Sequence, residues 1–139
     1  GLTPQDKINN VVNTLNGEVI GQGVVSDLRI QTINGFDLGA FQLNTETDSL
    51  ELTFWNEYMT CDRGHERLST FPNLLMTFSA EDGMPITSAE LKEGDEVVVI
   101  NSEYTNLKLG SGMLNKDNYH IVEKTLDRDI IKYISSLFE

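Results

Sequence analysis

The sequence predicts a mainly β fold, a small β-barrel or sandwich-like domain flanked by an N-terminal and a C-terminal helix. Short strand-like stretches are separated by turn residues about every eight to twelve positions, which is typical of small barrels and sandwiches. Asn34-Gly35 lies between two of these stretches and is a strong hairpin signal. Apolar residues with helical spacing occur at both ends of the chain. We therefore expect a single domain over residues 1–139.

The first element is predicted as a helix over residues 3–16. Thr3 is a suitable N-cap, Pro4 suits the first helical position, and Asn16-Gly17 is a typical stop. Apolar residues recur at the spacing of one helix face: Ile8, Val11, Val12 and Leu15. This face must be covered by the β core or by a partner.

The β core is predicted over residues 18–123 and contains a hairpin near its start. Asn34-Gly35 favours a type I′ turn, because both central positions of that turn need a positive φ. Gly39 lies inside the return strand, where a glycine indicates a bulge or a close backbone neighbour.

Residues 50–59 alternate between two faces and are predicted as one strand. Asn56 shares a face with apolar residues, and Glu57 falls on the opposite face. A polar loop is predicted to follow, from Cys61 to Glu66.

The last part of the chain mixes strands with irregular structure. Residues 87–90 have the spacing of a capping box, which predicts a single helical turn. Residues 97–100 are apolar throughout, as expected for a strand buried on both faces. A short strand is predicted at 119–122, followed by a helix over 127–138 that Asp127 caps.

The chain is strongly acidic, with 22 acidic and 10 basic residues and a net charge of −12. This balance excludes nucleic acid and anionic membranes as expected partners, since both are bound by clustered lysine and arginine. The acidity is explained first by solubility. A cation site or a basic partner is the alternative explanation.

The single cysteine, Cys61, rules out an internal disulfide and favours a reducing, cytoplasmic setting. The sequence has no apolar stretch long enough for a transmembrane helix and no opening signal-peptide pattern. Because the chain starts at Gly1, we expect it to be a piece of a longer protein.

Cys61 and His65 are the first candidates for chemistry, with Asp62 and Glu66 nearby. A zinc site needs further ligands at fixed spacing and a cysteine nucleophile needs an oxyanion donor, and neither is visible. His120 could approach only through the fold. No nucleophile elbow and no phosphate loop occurs. We therefore predict no metal site and no cofactor, and expect a polar surface loop here.

Asn56 is a stronger candidate because its predicted strand face is apolar. A buried amide must find hydrogen-bond partners, either by fixing a neighbouring turn or by contacting a ligand in a barrel mouth. Glu57 is a single carboxylate without an evident partner, which is weak support for acid–base catalysis.

Several pieces, read in order, resemble the C-terminal domain of the S-methyl thiohydantoin desulfurase family, a hydantoinase-related family. Together they cover roughly residues 17–100. The pieces are Gly23–Asp27 with Gly35–Gly39, Leu52–Tyr58, Phe71–Leu75, and Gly83–Thr87 with Leu91–Val97. Two departures are Asn73, where the family usually has aspartate, and 113–119, where only Tyr119 matches the family's late element.

The resemblance implies that this chain is the β half of a two-domain protein whose N-terminal domain is α/β. It implies substrates that are hydantoin-like five-membered cyclic ureides or thioureides. The resemblance implies that Asn56, Glu57 and Asn73 bind the ligand, and it identifies no catalytic residue. It also implies hydrolase or desulfurase activity for the full-length protein and not for this piece alone.

Three functions follow as hypotheses. The leading one is an accessory domain of a hydantoin-type hydrolase that supplies a wall of the site or an assembly surface. The second is a non-catalytic ligand-binding or homo-oligomerisation module. The third is a self-contained enzyme that uses Glu57 with His65 or His120.

Overall fold

The computed structural model describes residues 1–55, 58–69, 73–87, 90–103, 108–109 and 112–113. One helix is followed by a seven-stranded antiparallel sheet and a separate two-stranded sheet. The elements are α1 (Pro4–Leu15), β1 (Glu18–Ile33), β2 (Phe36–Asn44), β3 (Ser49–Trp55), β4 (Tyr58–Arg63), β5 (Glu66–Ser69), β6 (Asn73–Ser79), β7 (Glu96–Glu103), β8 (Lys108–Leu109) and β9 (Gly112–Met113). The predicted mainly β fold is confirmed. In this part of the chain, no helix is long and apolar enough to cross a membrane.

The predicted N-terminal helix is confirmed with its caps. The backbone N–H of Asp6 donates to the Thr3 hydroxyl, and the Asp6 carboxylate accepts from the backbone N–H of Thr3, which completes a capping box. The helix ends at Asn16, which adopts a left-handed conformation with φ of 50°. Ile8, Val11 and Leu15 are buried, so the apolar face is covered.

The predicted β1–β2 hairpin is also confirmed. Asn34 and Gly35 have φ values of 53° and 79°, as a type I′ turn requires. Gly39 pairs with Phe54 of β3, and a Cβ at Gly39 would lie 2.1 Å from the Arg29 carbonyl oxygen. The close backbone neighbour that this glycine predicted is therefore present.

The large sheet curls into a half-barrel in the strand order β5-β4-β3-β2-β1-β7-β6. Long β1 joins its two halves: Glu18–Val24 pairs with β7, and Val24–Ile33 pairs with β2. Strand β4, next to one edge, contacts β6, the strand at the opposite edge, so the sheet curves back on itself. The interior is filled by one buried cluster: Val25, Phe41, Leu43, Leu50, Leu52, Phe54, Cys61, Leu75, Leu91, Val97 and Val99.

A second apolar layer lies on the outside of the half-barrel. Val98 and Ile100 of β7 are directly opposite Phe78 and Met76 of β6, and all four are buried. They alternate with the interior residues of the same strands, so they occupy the outer face of the sheet. The prediction that residues 97–100 are buried on both faces is confirmed, because Val97 and Val99 are buried in the barrel interior and Val98 and Ile100 are buried on the outer face.

Two local predictions were wrong. Residues 50–59 do not form one strand, since β3 ends at Trp55, which pairs with Tyr58 at the start of antiparallel β4. The antiparallel Trp55–Tyr58 pair requires the chain to reverse between these two residues. The region from Cys61 to Glu66 is not a loop either, because Cys61 lies inside β4 with no exposed surface.

Other predictions fall wholly or partly outside the described residues. These are the strand at 119–122, the helix at 127–138 and half of the capping box at 87–90. In that box, the Glu90 carboxylate accepts from both the backbone N–H and the hydroxyl of Thr87. The bond from the Thr87 N–H is one half of a capping box, whereas the Glu90 N–H donates to the Thr87 backbone carbonyl oxygen and not to its hydroxyl.

Candidate functional site

The predicted ligand-binding residues belong to two places in the chain: between β3 and β4, and at the start of β6. Asn56 and Glu57 fall between Trp55 and Tyr58 and are outside the described residues. Asn73 is the first residue of β6, where its backbone pairs with Glu103 of β7. Their roles as ligand contacts stay predictions.

Chain connectivity limits how far Asn73 lies from the β3–β4 connection. Ser69, the last residue of β5, pairs with Cys61 of β4, three positions from Tyr58. Asn73 follows Ser69 by four residues, which can span at most about 14 Å. Because β4 also contacts β6, the strand topology is compatible with one site shared by Asn73 and the β3–β4 connection.

Cys61 and His65 occupy different environments. Cys61 faces the barrel interior opposite Leu52, whereas His65 is exposed in the turn between β4 and β5. Burial, with a smaller contribution from the Asp62 carboxylate, raises the pKa of the Cys61 thiol from 9.0 to about 11. The group therefore stays a protonated thiol at neutral pH, which is the unreactive form for nucleophilic attack.

The carboxylates beside these residues serve local structure or lie in solvent. Asp62 pairs with Arg67 on the neighbouring strand, and Glu66 is exposed. Within the described ranges, no group of three or more histidine, cysteine, aspartate or glutamate side chains is placed to hold a metal ion.

One open groove, which we call the turn groove, runs between β1 and the β2–β3 turn and has a volume of about 640 Å³. Gly23 permits this approach, since a Cβ there would lie 2.1 Å from the carbonyl oxygen of Asn44. The turn is fixed by the Thr45 hydroxyl, which donates to the Asp48 carboxylate at 2.8 Å. Arg63 pairs with the same carboxylate at 2.6 Å. Thr45, Asp48 and Arg63 therefore already bind one another.

A second open groove has a volume of about 730 Å³ and lies between the 79–86 turn and the 90–96 segment. We call it the acidic groove, because five carboxylates line it: Glu81, Asp82, Glu90, Asp95 and Glu96. Met84, Pro85 and Ile86 provide its apolar part. The sequence showed the turns at 80–85 and 92–95, but only the fold brings them to opposite sides of one groove.

A family model described as S-Me-THD-like, C-terminal domain, matches residues 2–107. The chain belongs to this family. No curated protein and no solved structure matches the chain. The resemblance identified from the sequence motifs is therefore confirmed at the level of the family.

The S-Me-THD-like match covers α1, all seven strands of the half-barrel and both grooves, whereas β8 and β9 lie beyond it. As a C-terminal domain of this family, the half-barrel belongs to a larger protein with an N-terminal partner domain. Both grooves are open to solvent in the domain described here, so either can meet a second domain.

Proposed function

We propose that this S-Me-THD-like domain is an accessory domain that completes a site for a hydantoin-like cyclic ureide or thioureide together with its N-terminal partner domain. The family match carries the proposal. In this proposal, Asn56, Glu57 and Asn73 contact the ligand, and the reacting groups come from the partner domain.

The state of Cys61 supports an accessory role. A catalytic thiol must be accessible and at least partly ionised, but this thiol is fully buried and its pKa is raised to about 11. Cys61 packs in the interior with Leu52 and its neighbours, which assigns it to the core.

The residue types of the predicted contacts suit a cyclic ureide. Such a ring presents N–H donors and carbonyl acceptors in one plane, and an asparagine amide can both donate and accept. A site that uses several such groups discriminates strongly against analogues that lack a matching donor or acceptor.

Replacing Asn56 by alanine in the full-length protein should weaken binding of S-methyl thiohydantoin about fivefold, because one hydrogen bond contributes about 1 kcal/mol. Calorimetric titration measures the affinity. Thr53→Ala is the matched control, because Thr53 is an exposed residue of β3 outside the predicted site.

The melting temperature of each variant without ligand separates a binding defect from a folding defect. Equal affinities for wild type, Asn56→Ala, Glu57→Gln and Asn73→Ala would rule out this region as the ligand site.

A further inference from the structure

The start of α1 fixes where the polypeptide enters this domain. A C-terminal domain is connected to its N-terminal partner through its first residues, so the connection passes through Leu2. Leu2 is 48% exposed, although leucine is normally buried. The capping box of Thr3 and Asp6 orders the chain from the next residue onward.

The 80–85 turn packs tightly against this entry point. Gly83 is buried with φ of 75°, and a Cβ there would lie 2.7 Å from the Pro4 carbonyl oxygen and 3.1 Å from the Lys7 Cβ. The Lys7 ammonium lies 4.0 Å from the Met84 sulfur. The turn and the first turn of α1 therefore form one continuous surface.

The same turn forms one wall of the acidic groove, which places that groove beside the entry point. Met84 touches Lys7 on one side and lines the groove on the other. The surface thus has an apolar part, made by Met84, Pro85 and Ile86, and a carboxylate rim, which is the common composition of a domain interface.

We propose that the N-terminal domain of the same polypeptide docks on this surface, with its own basic residues against the carboxylate rim. A domain tethered at Leu2 has a high effective concentration at the adjacent groove, so even a modest intrinsic affinity suffices. Complementary charge then fixes its orientation. This inference rests on the two-domain arrangement of the proposed function. The acidic groove begins at Ser79, and Asn73 lies at the other end of β6, so the partner domain must extend about 20 Å along the half-barrel to meet both.

Site-specific photo-cross-linking in the full-length protein tests the docking surface. A benzophenone amino acid replaces Glu81 in the acidic groove or, as the matched control, Glu51. Both residues are exposed glutamates, and Glu51 lies on β3 and lines neither groove. After irradiation, peptide mapping identifies the cross-linked segment.

We expect intramolecular links from position 81 to the N-terminal domain and none from position 51. The double change Glu81→Lys and Glu96→Lys should reduce the link yield from a probe at Asp82 by roughly two- to tenfold, as the loss of two exposed charge pairs implies. Links from position 81 only to a second copy of the protein, or no links at all, would overturn the proposal. Because the readout is domain contact and not ligand binding, this result is independent of the proposed substrate class.

Discussion

Replacing Gly39 by alanine should destabilise the domain by about 3 kcal/mol, the upper end of the usual cost of overpacking. An alanine Cβ would lie 2.1 Å from the Arg29 carbonyl oxygen and 2.5 Å from the Phe54 ring. Strands β1 and β3 would both have to shift, and Phe54 belongs to the barrel interior. Urea denaturation of the 139-residue domain measures the change in the free energy of unfolding.

Gly64→Ala is the control for this experiment. Gly64 has φ of 59° but no heavy atom within 4 Å of its added Cβ, so only backbone strain of about 1 kcal/mol is expected. Equal destabilisation by the two changes would show that β2 does not approach β1 and β3 as closely as described.

Raising the pH from 9 to 11 should lower the free energy of unfolding of the domain, because of the Cys61 thiol. Its pKa rises from 9.0 to about 11 on folding, so in this window the unfolded chain releases a proton that the folded chain keeps. The stabilisation is complete below pH 9 and falls by about 1.4 kcal/mol per pH unit up to pH 11. Urea denaturation at a series of pH values, with a thiol reductant present, measures this slope.

Cys61→Ala isolates the effect from other groups that titrate at alkaline pH. At pH 7 the variant should be less stable by about 1 kcal/mol, because the core loses one buried atom. The difference should shrink above pH 9 and then reverse in sign. A difference that stays constant up to pH 11 would mean that the thiol ionises in the folded protein as readily as in the unfolded chain.

Short sequence signals were sufficient to predict the elements whose geometry depends on a few adjacent residues. Thr3, Pro4 and Asn16 specify the ends of α1, and Asn34-Gly35 specifies the first hairpin, because caps and type I′ turns depend on a few adjacent residues. The uninterrupted apolar run of β7 also indicated burial on both faces.

Predictions that depended on strand pairing were less successful. In the sequence, Tyr58 continues the two-residue alternation of Leu52 and Phe54, although β3 ends before it and β4 begins with it. The alternation therefore gave no sign that one strand ends and another begins. Cys61 looked like a loop residue because charged residues follow it, and only its pairing with Leu52 places it inside the barrel. The acidic groove also depends on pairing, because it forms where the connection between β6 and β7 folds beside the Ser79–Val97 pair, and no local pattern shows this.

The most direct measurement is a thermal-shift titration with S-methyl thiohydantoin and hydantoin on both the full-length protein and the 139-residue domain. A ligand that binds only the folded state raises the melting temperature, with about 2.7 kcal/mol of stabilisation at a hundred times its dissociation constant. A site completed by two domains predicts a concentration-dependent rise for the full-length protein and little or none for the domain alone. No rise in the full-length protein with either compound, or an equal rise in the isolated domain, would contradict the shared site.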